Sequence, residues 1–519
     1  MRYIKKIKLI NFKRFQNFSV SFNQKLNVFI GDNESGKSTI MEAINISLSG
    51  RRKFIDTLYL ENLFNYDTIK TFLDSERKYE DLPELFIELY LDDNESFDLN
   101  GQNNSDGVTC NGIRFECKVN DELGAEIKDI LRQENKIFPF EYYNINYFTF
   151  SGEAYTGYKK FIKHISIDHS QIGSEFALRE YIRGMYNNLI EGNEKPRHFN
   201  EYRKAKNQFT NDVLSDLNSR IEVYKFSIRN NSKSNLETDL TILDNEIDIE
   251  NKGKGRQSLI KTEFALNRGG SDVDIILIEE PENHLSHINL NKMIKNIIDS
   301  RDTQLFISTH SNMISSRLDL RKAILLNSNN QSVVDLNSLE ETTAKFFIKA
   351  PHHNILDYIL SKKVILVEGD AEYILMEQFF RNASESELSA HDIHIISVGG
   401  TSFKRYLELG RLLNIKTAVI RDNDGNYQQN CVESYQTYIN ENIKVFSDTD
   451  NNNHTFEICT YNSNKSLCDE LFGSERRTLT VQDYMLNNKA EVAYQLLVEK
   501  GSELIVPEYI KEAILWVNA

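Results

Sequence analysis

Positive charge is in short supply in this 519-residue chain, where 61 Lys and Arg face 77 Asp and Glu for a formal net charge of −16. A protein coated in basic surface is excluded, so any nucleic-acid contact has to come from cations gathered locally. Two stretches gather them: Lys5, Lys6, Lys8, Lys13 and Arg14 near the start, and Arg51, Arg52 and Lys53 in GRRK. Cysteine is sparse as well. Cys110, Cys117, Cys431, Cys459 and Cys468 are odd in number and none lies at C-x-x-C spacing, which speaks against a zinc site and fits a reducing cytoplasm. No apolar run approaches the roughly 20 residues that cross a bilayer, so no membrane association is expected. The opening MRYIKKIKLINFKRF is basic and alternating, without the apolar centre and cleavage site of a secretory signal. It predicts a first β-strand. Sustained heptads are missing, which argues against a long coiled-coil arm, and there is no internal repeat or low-complexity tract.

What is present reads as α/β. Hydrophobic residues make up 40% and charged residues 27%, near the globular average, and the length implies two or three domains of roughly 100–200 residues. Strand-like LNVFIG, LFIELYL and YNINYFTF share the first 150 residues with one clear helix. From about 155 to 245, ALREYIRGMYNNLIEG and FTNDVLSDLNSRIEVYKFSI space their apolar residues at three and four, which predicts a helical insertion. Strands return at DIILIEEP and TQLFISTH. The segment 346–360, with Pro351 and two histidines, is the expected linker between a domain at 1–345 and another at 361–519. Beyond it, KVILVEG, DIHIISVGG and KTAVIRDND, each followed by a helical segment, predict a second, parallel sheet.

LNVFIGDNESGKSTIMEAI places G-x-x-x-x-G-K-S after a strand and before a helix, the context a phosphate-binding loop requires. Gly31 and Gly36 let backbone amides face phosphate oxygens, Lys37 reaches the terminal phosphates, and Ser38 is placed for Mg²⁺. Asn33, Gly36, Lys37, Ser38 and Thr39 are the candidate ATP contacts. Downstream, one strand ends in Glu279 and Glu280 and the next in Thr309 and His310. That order suits a metal-bridging acid, Glu279, a general base for water, Glu280, and a γ-phosphate sensor, His310.

A second acidic strand end follows far downstream. VILVEGDAEYIL closes a strand at Glu368, with Gly369 for a tight turn and Glu372 on the first turn of the next helix; TAVIRDNDGN closes another at Asp422 and Asp424. Carboxylates converging at strand ends repel one another unless divalent ions neutralise them. Oxygen-only ligands favour Mg²⁺ or Mn²⁺, so Glu368, Glu372, Asp422 and Asp424 are the candidate metal ligands here, as Ser38 and Glu279 are at the nucleotide site.

The opening IKLINFKRFQNF, the phosphate loop, EEPENHLS and STHS resemble the ATPase heads of the ABC superfamily in its SMC and RecF-like branch. That resemblance implies ATP held between two heads, each lending a signature loop to its partner. NKGKGRQSLI, with Gly253, Gly255, Arg256 and Gln257, resembles a degenerate signature loop, so Gly255 and Gln257 join the candidate nucleotide contacts. Glu-Gly-x-x-Glu followed by Asp-x-Asp resembles the topoisomerase-primase (Toprim) domain, whose enzymes act on phosphodiester bonds. An ABC-type head followed by Toprim resembles the overcoming-lysogenization-defect (OLD) family of ATP-dependent nucleases over nearly the whole chain. ISVGGTSFKRYLELGRLL, HTFEICTY and NNKAEVAYQLLVEKG resemble further segments of that family, making Lys489 the implied catalytic lysine and Glu457 an additional acid.

The expected architecture is thus an ABC/SMC-like P-loop ATPase with a helical dimerisation insertion, followed by a Rossmann-like Toprim domain. The resemblance implies a DNA endonuclease of bacterial anti-phage defence, cytoplasmic, homodimeric or a dimer of dimers. Some relatives work beside a defence-system partner protein or a retron reverse transcriptase with its DNA product. The residues alone leave two other readings open: an ATP-gated DNA-binding or repair scaffold with an inactive Toprim domain, and a Toprim enzyme acting on RNA.

Overall fold

Alternation along IKKIKLINF puts Ile7 and Leu9 on one buried face of the first strand, β1 (Ile4–Phe12), and Phe12 is buried after Asn11, whose left-handed backbone breaks the alternation. A register irregularity between Ile4 and Lys6 resets the period so that Ile4 is buried too. The chain returns as β2 (Phe15–Ser21), then enters a different sheet as β3 (Leu26–Gly31), which leads into helix α1 (Lys37–Ser49). β4 (Leu85–Leu91) pairs with the other edge of β1, and β5 (Cys110–Val119) and β6 (Tyr143–Thr149) extend this antiparallel sheet. The second sheet holds β7 (His164–Asp168), β8 (Ile275–Glu279), β9 (Gln304–Thr309) and β10 (Ala323–Leu326) beside β3, and the short strand β11 (Val333–Asp335) follows β10 along the chain. Its pairings β7–β8, β8–β9, β9–β3 and β3–β10 are parallel. α1 packs on both sheets, and its Ile40, Met41 and Ile44 belong to the shared core. The phosphate loop that precedes it is thereby anchored from two sides.

This computed structural model describes residues 2–50, 59–94, 96–133, 137–155, 161–171, 174–190, 193–231, 234–266, 273–299, 303–311, 314, 318–326, 333–349, 355–400, 402–473 and 479–519. Packing divides the chain into two units, Met1–His310 with Lys322–Val333, and Ser311–Arg321 with Val334–Ala519. The expected boundary at 345 thus moves to 333, and the expected linker 346–360 changes character. Its described part carries the end of a helix at Glu341–Lys349 and another at Ile355–Leu360, where Ile355, Leu356, Tyr358 and Ile359 are buried in the second unit. Pro351 and its neighbouring histidines lie outside the described residues.

The insertion is also shorter than expected. Residues 164–168 form β7, so its helices are α2 (Glu175–Leu189) and α3 (Glu194–Asp212). FTNDVLSDLNSRIEVYKFSI does not continue as a helix: after Asp212 there is one turn, Ser215–Asn218, and then no regular element to 230. Val223, Tyr224 and Phe226 stand exposed with no core to receive a helical face. Asn218 instead exchanges hydrogen bonds with the backbone N–H and C=O of Phe226 at 2.7 and 3.0 Å.

The insertion ends before α4 (Lys254–Leu266), the helix that leads to β8. In the second unit β12 (Lys363–Val367), β13 (Ile393–Ser397), β14 (Lys416–Ile420) and β15 (Ile443–Phe446) form the expected parallel sheet, ordered β13–β12–β14–β15. The fourth strand, IKVF, is too short and mixed to announce itself in the sequence. Helices α5 (Asp370–Ser384) and α8 (Glu508–Asn518) pack on the sheet; α6 (Phe456–Ser463) and α7 (Lys489–Lys500) bring residues from late in the chain to α5 and its core. No helix among the described residues is long and apolar enough to cross a membrane.

Candidate functional site

The phosphate loop turns at Gly36, whose φ of 102° and contact with the Phe15 ring, 2.6 Å from where a Cβ would stand, leave no room for a side chain. Lys37 follows, almost wholly buried, and donates to the Gly31 and Asp32 carbonyls at 2.7 and 2.8 Å. Burial pulls its ammonium down to about 8, opposed by the charges of Glu280, Asp32 and Glu282. Asn33 and Ser38 are exposed at the loop and Thr39 is half-buried.

β8 delivers Glu279 beside Ser38. Burial, then the Asp168 charge, raises the Glu279 carboxyl to about 7, while a hydrogen bond from Ser38 opposes the shift. Glu280, in a left-handed conformation with φ 46°, accepts from Asn283 Nδ2 at 2.6 Å and lies 3.8 Å from His310 Nε2. Burial, with Lys37 nearby, lowers the His310 pKa. The structure therefore assembles Lys37, Ser38, Glu279, Glu280 and His310 from three strand ends. Two acids were missed. Glu282 accepts from Thr309 Oγ1 and from the His310 N–H, both at 2.8 Å, and Asp168 sits opposite Glu279 in the β7–β8 register. The third glutamate of EEPE and the acid ending ISID were the available signals. A cavity of about 660 Å³ opens beside Ser38 and Glu279, lined also by Asp168, Tyr181 and Lys261.

The signature-like segment is the start of a helix, not a free loop. Gly253 and Arg256 are exposed, and Arg256 pairs with Asp244 at 3.2 Å. Gly255 lies against the His284 carbonyl, 2.4 Å from the position of a Cβ. Gln257 is buried and donates to the Glu250 and Lys252 carbonyls at 3.3 and 2.8 Å.

In the second unit, Glu368 follows β12 and Glu372 faces it from the first turn of α5, while Asp422 and Asp424 follow β14. Gly369 is extended, with φ −148°, so the turn does not depend on glycine. Burial raises Glu372 to about 7, with Glu457 and Glu368 adding to it, and raises Asp422 to about 8, with Glu372, Glu368 and Glu457 adding. Glu368 is raised by burial and by Asp424. Lys489, the first residue of α7, donates to the buried Glu457 at 3.1 Å. Against the cost of burial, Glu457, Asp422 and Glu372 hold its ammonium above the ordinary lysine value. The five acids and the lysine thus share one electrostatic neighbourhood.

A divalent cation fits this donor set. Glu368 Oε2 is buried without a hydrogen-bond partner, every donor is a carboxylate oxygen, and a cation would offset both the burial and the mutual repulsion that raise Glu372 and Asp422. Among the described residues no three such side chains stand close enough to hold an ion as placed, as expected of like charges kept apart.

The basic stretch at the N-terminus is not free for nucleic acid. Lys5 pairs with Asp93, Lys6 and Lys8 with Asp106, and Lys13 with Glu42; Arg14 lies over the Phe15 ring. Arg51, Arg52 and Lys53 lie outside the described residues.

A family model described as an AAA ATPase domain matches residues 2–211 and 171–314. Another, described as an overcoming lysogenization defect protein-like TOPRIM domain, matches residues 359–424. The DNA replication and repair protein RecF of Clostridium kluyveri is 23% identical over 245 residues, covering 43% of this chain and 61% of its own length. The DNA double-strand break repair Rad50 ATPase of Methanococcus maripaludis is 28% identical over 135 residues, covering 26% of this chain and 12% of its own. The chain thus spans less than two thirds of these curated relatives. Among solved structures, the C-terminal region of the Burkholderia pseudomallei OLD protein is 19% identical and covers 30% of this chain and 97% of its own, with a TM-score of 0.26. The SMC head domain of Thermotoga maritima is 14% identical and covers 64% and 98%, with a TM-score of 0.30. With strand-end residues in the order an ATPase needs and an acidic centre behind them, the chain belongs to the AAA ATPase domain family and carries an OLD-like TOPRIM domain in its C-terminal part.

Proposed function

We propose that this protein is an ATP-regulated, divalent-metal-dependent DNA endonuclease of the OLD type, cytoplasmic and serving bacterial anti-phage defence. The observation that carries the reading is the mutually interacting set Glu368, Glu372, Asp422 and Glu457 with Lys489, Asp424 acting on Glu368, and Glu368 Oε2 left without a partner. Glu368 and Asp422 would hold one Mg²⁺ or Mn²⁺, and Glu372 with Asp424 a second. Such ions supply an activated water and neutralise the leaving oxygen of a phosphodiester. Lys489, steadied by Glu457, offsets charge on the scissile phosphate as it builds. At the other site Lys37 binds the ATP phosphates, Ser38 and Glu279 hold the Mg²⁺ that accompanies them, Glu280 acts as base for the attacking water, and His310 contacts the γ-phosphate.

Hydrolysis of a phosphodiester is downhill, so ATP is not needed to drive it. ATP binding instead sets the geometry of a head dimer in which Gly255 and Arg256 of one copy approach the nucleotide of the other. A defence-system partner protein, or a retron reverse transcriptase with its DNA product, would supply the trigger. Glu368→Ala tests the reading: metal-dependent plasmid cleavage should fall by at least about 100-fold, the scale of removing one group that stabilises the transition state, while ATP turnover stays at the wild-type rate. Cleavage at the wild-type rate would remove Glu368 from the mechanism.

A further inference from the structure

Three lysines that carry no acidic partner among the described residues lie at the opposite end of the TOPRIM sheet from its acids. Lys363 is the first residue of β12, Lys416 the first of β14, and Lys444 the second of β15. Lys363 and Lys416 are register partners, and Lys444 stands opposite Ala418, two residues along from Lys416. Because side chains alternate along a strand, all three rise on one face, the face of Ile365, Ala418 and Phe446. Trp516, in the last turns of α8, caps this end: Lys416 Nζ lies 5.2 Å and Lys444 Nζ 5.3 Å from its ring centre, and the indole packs on Phe446. Lys363 Nζ donates to the Asn518 carbonyl at 2.9 Å.

None of the three pairs with a carboxylate among the described residues. Like charges on adjacent strands destabilise a sheet, and burial together with the charges of Lys363 and Lys444 holds Lys416 below the ordinary lysine value. Lys416 and Lys444 hold their ammonium groups over the indole, whose π face attracts a cation without neutralising it. The lysines near the N-terminus are, by contrast, each matched to Asp93, Asp106 or Glu42. In a chain of net charge −16, an unmatched row of cations is suited to an anion that supplies the missing charges.

Spacing suits a polyanion. Strands lie roughly 4.8 Å apart, so lysines on three adjacent strands span roughly 10 Å. A nucleic-acid strand advances about 3.4 Å along its axis for each phosphate, and lysine side chains are long and flexible, so a row of this length can meet successive phosphates of one backbone. We propose that Lys363, Lys416 and Lys444, mounted on Trp516, form an anchoring site for the phosphate backbone of nucleic acid. Five residues of strand, roughly 17 Å, separate Lys363 from Glu368, so the phosphates held here are not the one that is cut. The site reads no bases; it tethers the polymer whose remote phosphodiester the acidic centre addresses. Its purpose rests on the nuclease reading, but its binding does not.

Trp516 is the only tryptophan in the chain and reports on the site directly. The full chain carrying Glu368→Ala, in EDTA, is titrated with a fluorescein-labelled DNA duplex over a range of KCl, and anisotropy and tryptophan emission are both followed. Trp516 emission should change in step with anisotropy. Lys363→Gln, Lys416→Gln and Lys444→Gln together should weaken binding by about tenfold or more and reduce the salt slope by about 2.7, or 0.9 for each phosphate no longer neutralised. The matching triple arginine variant should keep both values. If the triple glutamine variant fails to fold by circular dichroism, the exposed Lys444→Gln is read alone, with a slope reduced by about one. Unchanged affinity and slope would overturn the proposal. So would emission that stays flat while the duplex saturates the protein, or that responds to poly-glutamate or phosphatidylserine vesicles more readily than to DNA. Wild-type protein that anchors DNA through these lysines yet never cuts it in Mg²⁺ or Mn²⁺ would sink the nuclease reading and leave this one standing.

Discussion

Removing Lys489 strands Glu457, a carboxylate only 4% exposed whose one direct cation among the described residues is that lysine. Lys489→Ala should therefore lower stability by about 1–3 kcal/mol, the cost of leaving a buried acceptor unsatisfied, and abolish cleavage with it. Adding Glu457→Gln should restore the melting temperature without restoring cleavage. A double variant that cuts DNA would assign Lys489 a purely structural role. At this scale the sequence was most legible where backbone and chemistry both constrain the residue. Gly36 and Lys37 stand where the pattern requires, since only glycine tolerates that φ beside Phe15 and only a long cation reaches the loop carbonyls. Glu282 and Asp168 were hidden because their importance comes from contacts with Thr309, His310 and Glu279, which strand register creates. Gln257 was harder to read for the opposite reason. A residue type that fits a signature loop also fits a helix start, and here it locks the backbone before α4.

Helices α2 and α3 are joined through Glu237, which lies within reach of Arg183 at 2.9 Å, accepts from Asn187 at 3.3 Å, and pairs with Lys195. Burial opposes its ionised form, but the Lys195 hydrogen bond and the charges of Arg183 and Lys195 outweigh it, and its pKa is lowered. A carboxylate depressed in the folded state contributes stability above its unfolded pKa of roughly 4.3 and loses it as pH falls through the folded value. Amide exchange in α2 and α3 should therefore accelerate below that pH in the wild type. In Glu237→Gln it should already be faster at neutral pH, by roughly 1–2 kcal/mol of local stability after discounting the half-exposed cations, with little further acid dependence. Equal protection in the two proteins at pH 7 would contradict the argument. Elements with a strong period were legible from sequence: β1, β3, β12 and α1 all fall on their apolar patterns. β7 and β15 were not, because HISID and IKVF are short and acquire strand character from the neighbours they pair with.

For the whole molecule, the tip of the insertion carries the most conspicuous unfilled surface. Phe209, Val213 and Leu217 follow one another at four-residue spacing with exposures of 47%, 58% and 42%, and Val223, Tyr224 and Phe226 beyond them are 77%, 80% and 56% exposed. Exposed apolar residues close together in the chain mark a candidate interface, and a second copy is the occupant that the proposed sharing of the ATP site between heads would need. Light scattering should give a homodimer or a dimer of dimers, and Val223→Asp with Phe226→Asp should give a monomer that binds ATP but turns it over slowly. A wild-type monomer at micromolar concentration, with and without ATP, would refute this arrangement. The order of the two units was legible because each carries its own motif; the boundary at 333 was not, since the helices that follow it look like linker until Ile355 and Tyr358 are seen buried.

That one site cuts while the other controls it is tested most directly by measuring plasmid cleavage in Mg²⁺ or Mn²⁺, with and without ATP, for the wild type, Lys37→Ala and Glu280→Gln. Lys37→Ala should bind no ATP and cut at a single, nucleotide-independent rate. Glu280→Gln should bind ATP without clearing it, and its cleavage rate should be displaced from the nucleotide-free rate and stay displaced. Identical rates with and without ATP in all three proteins would contradict the account.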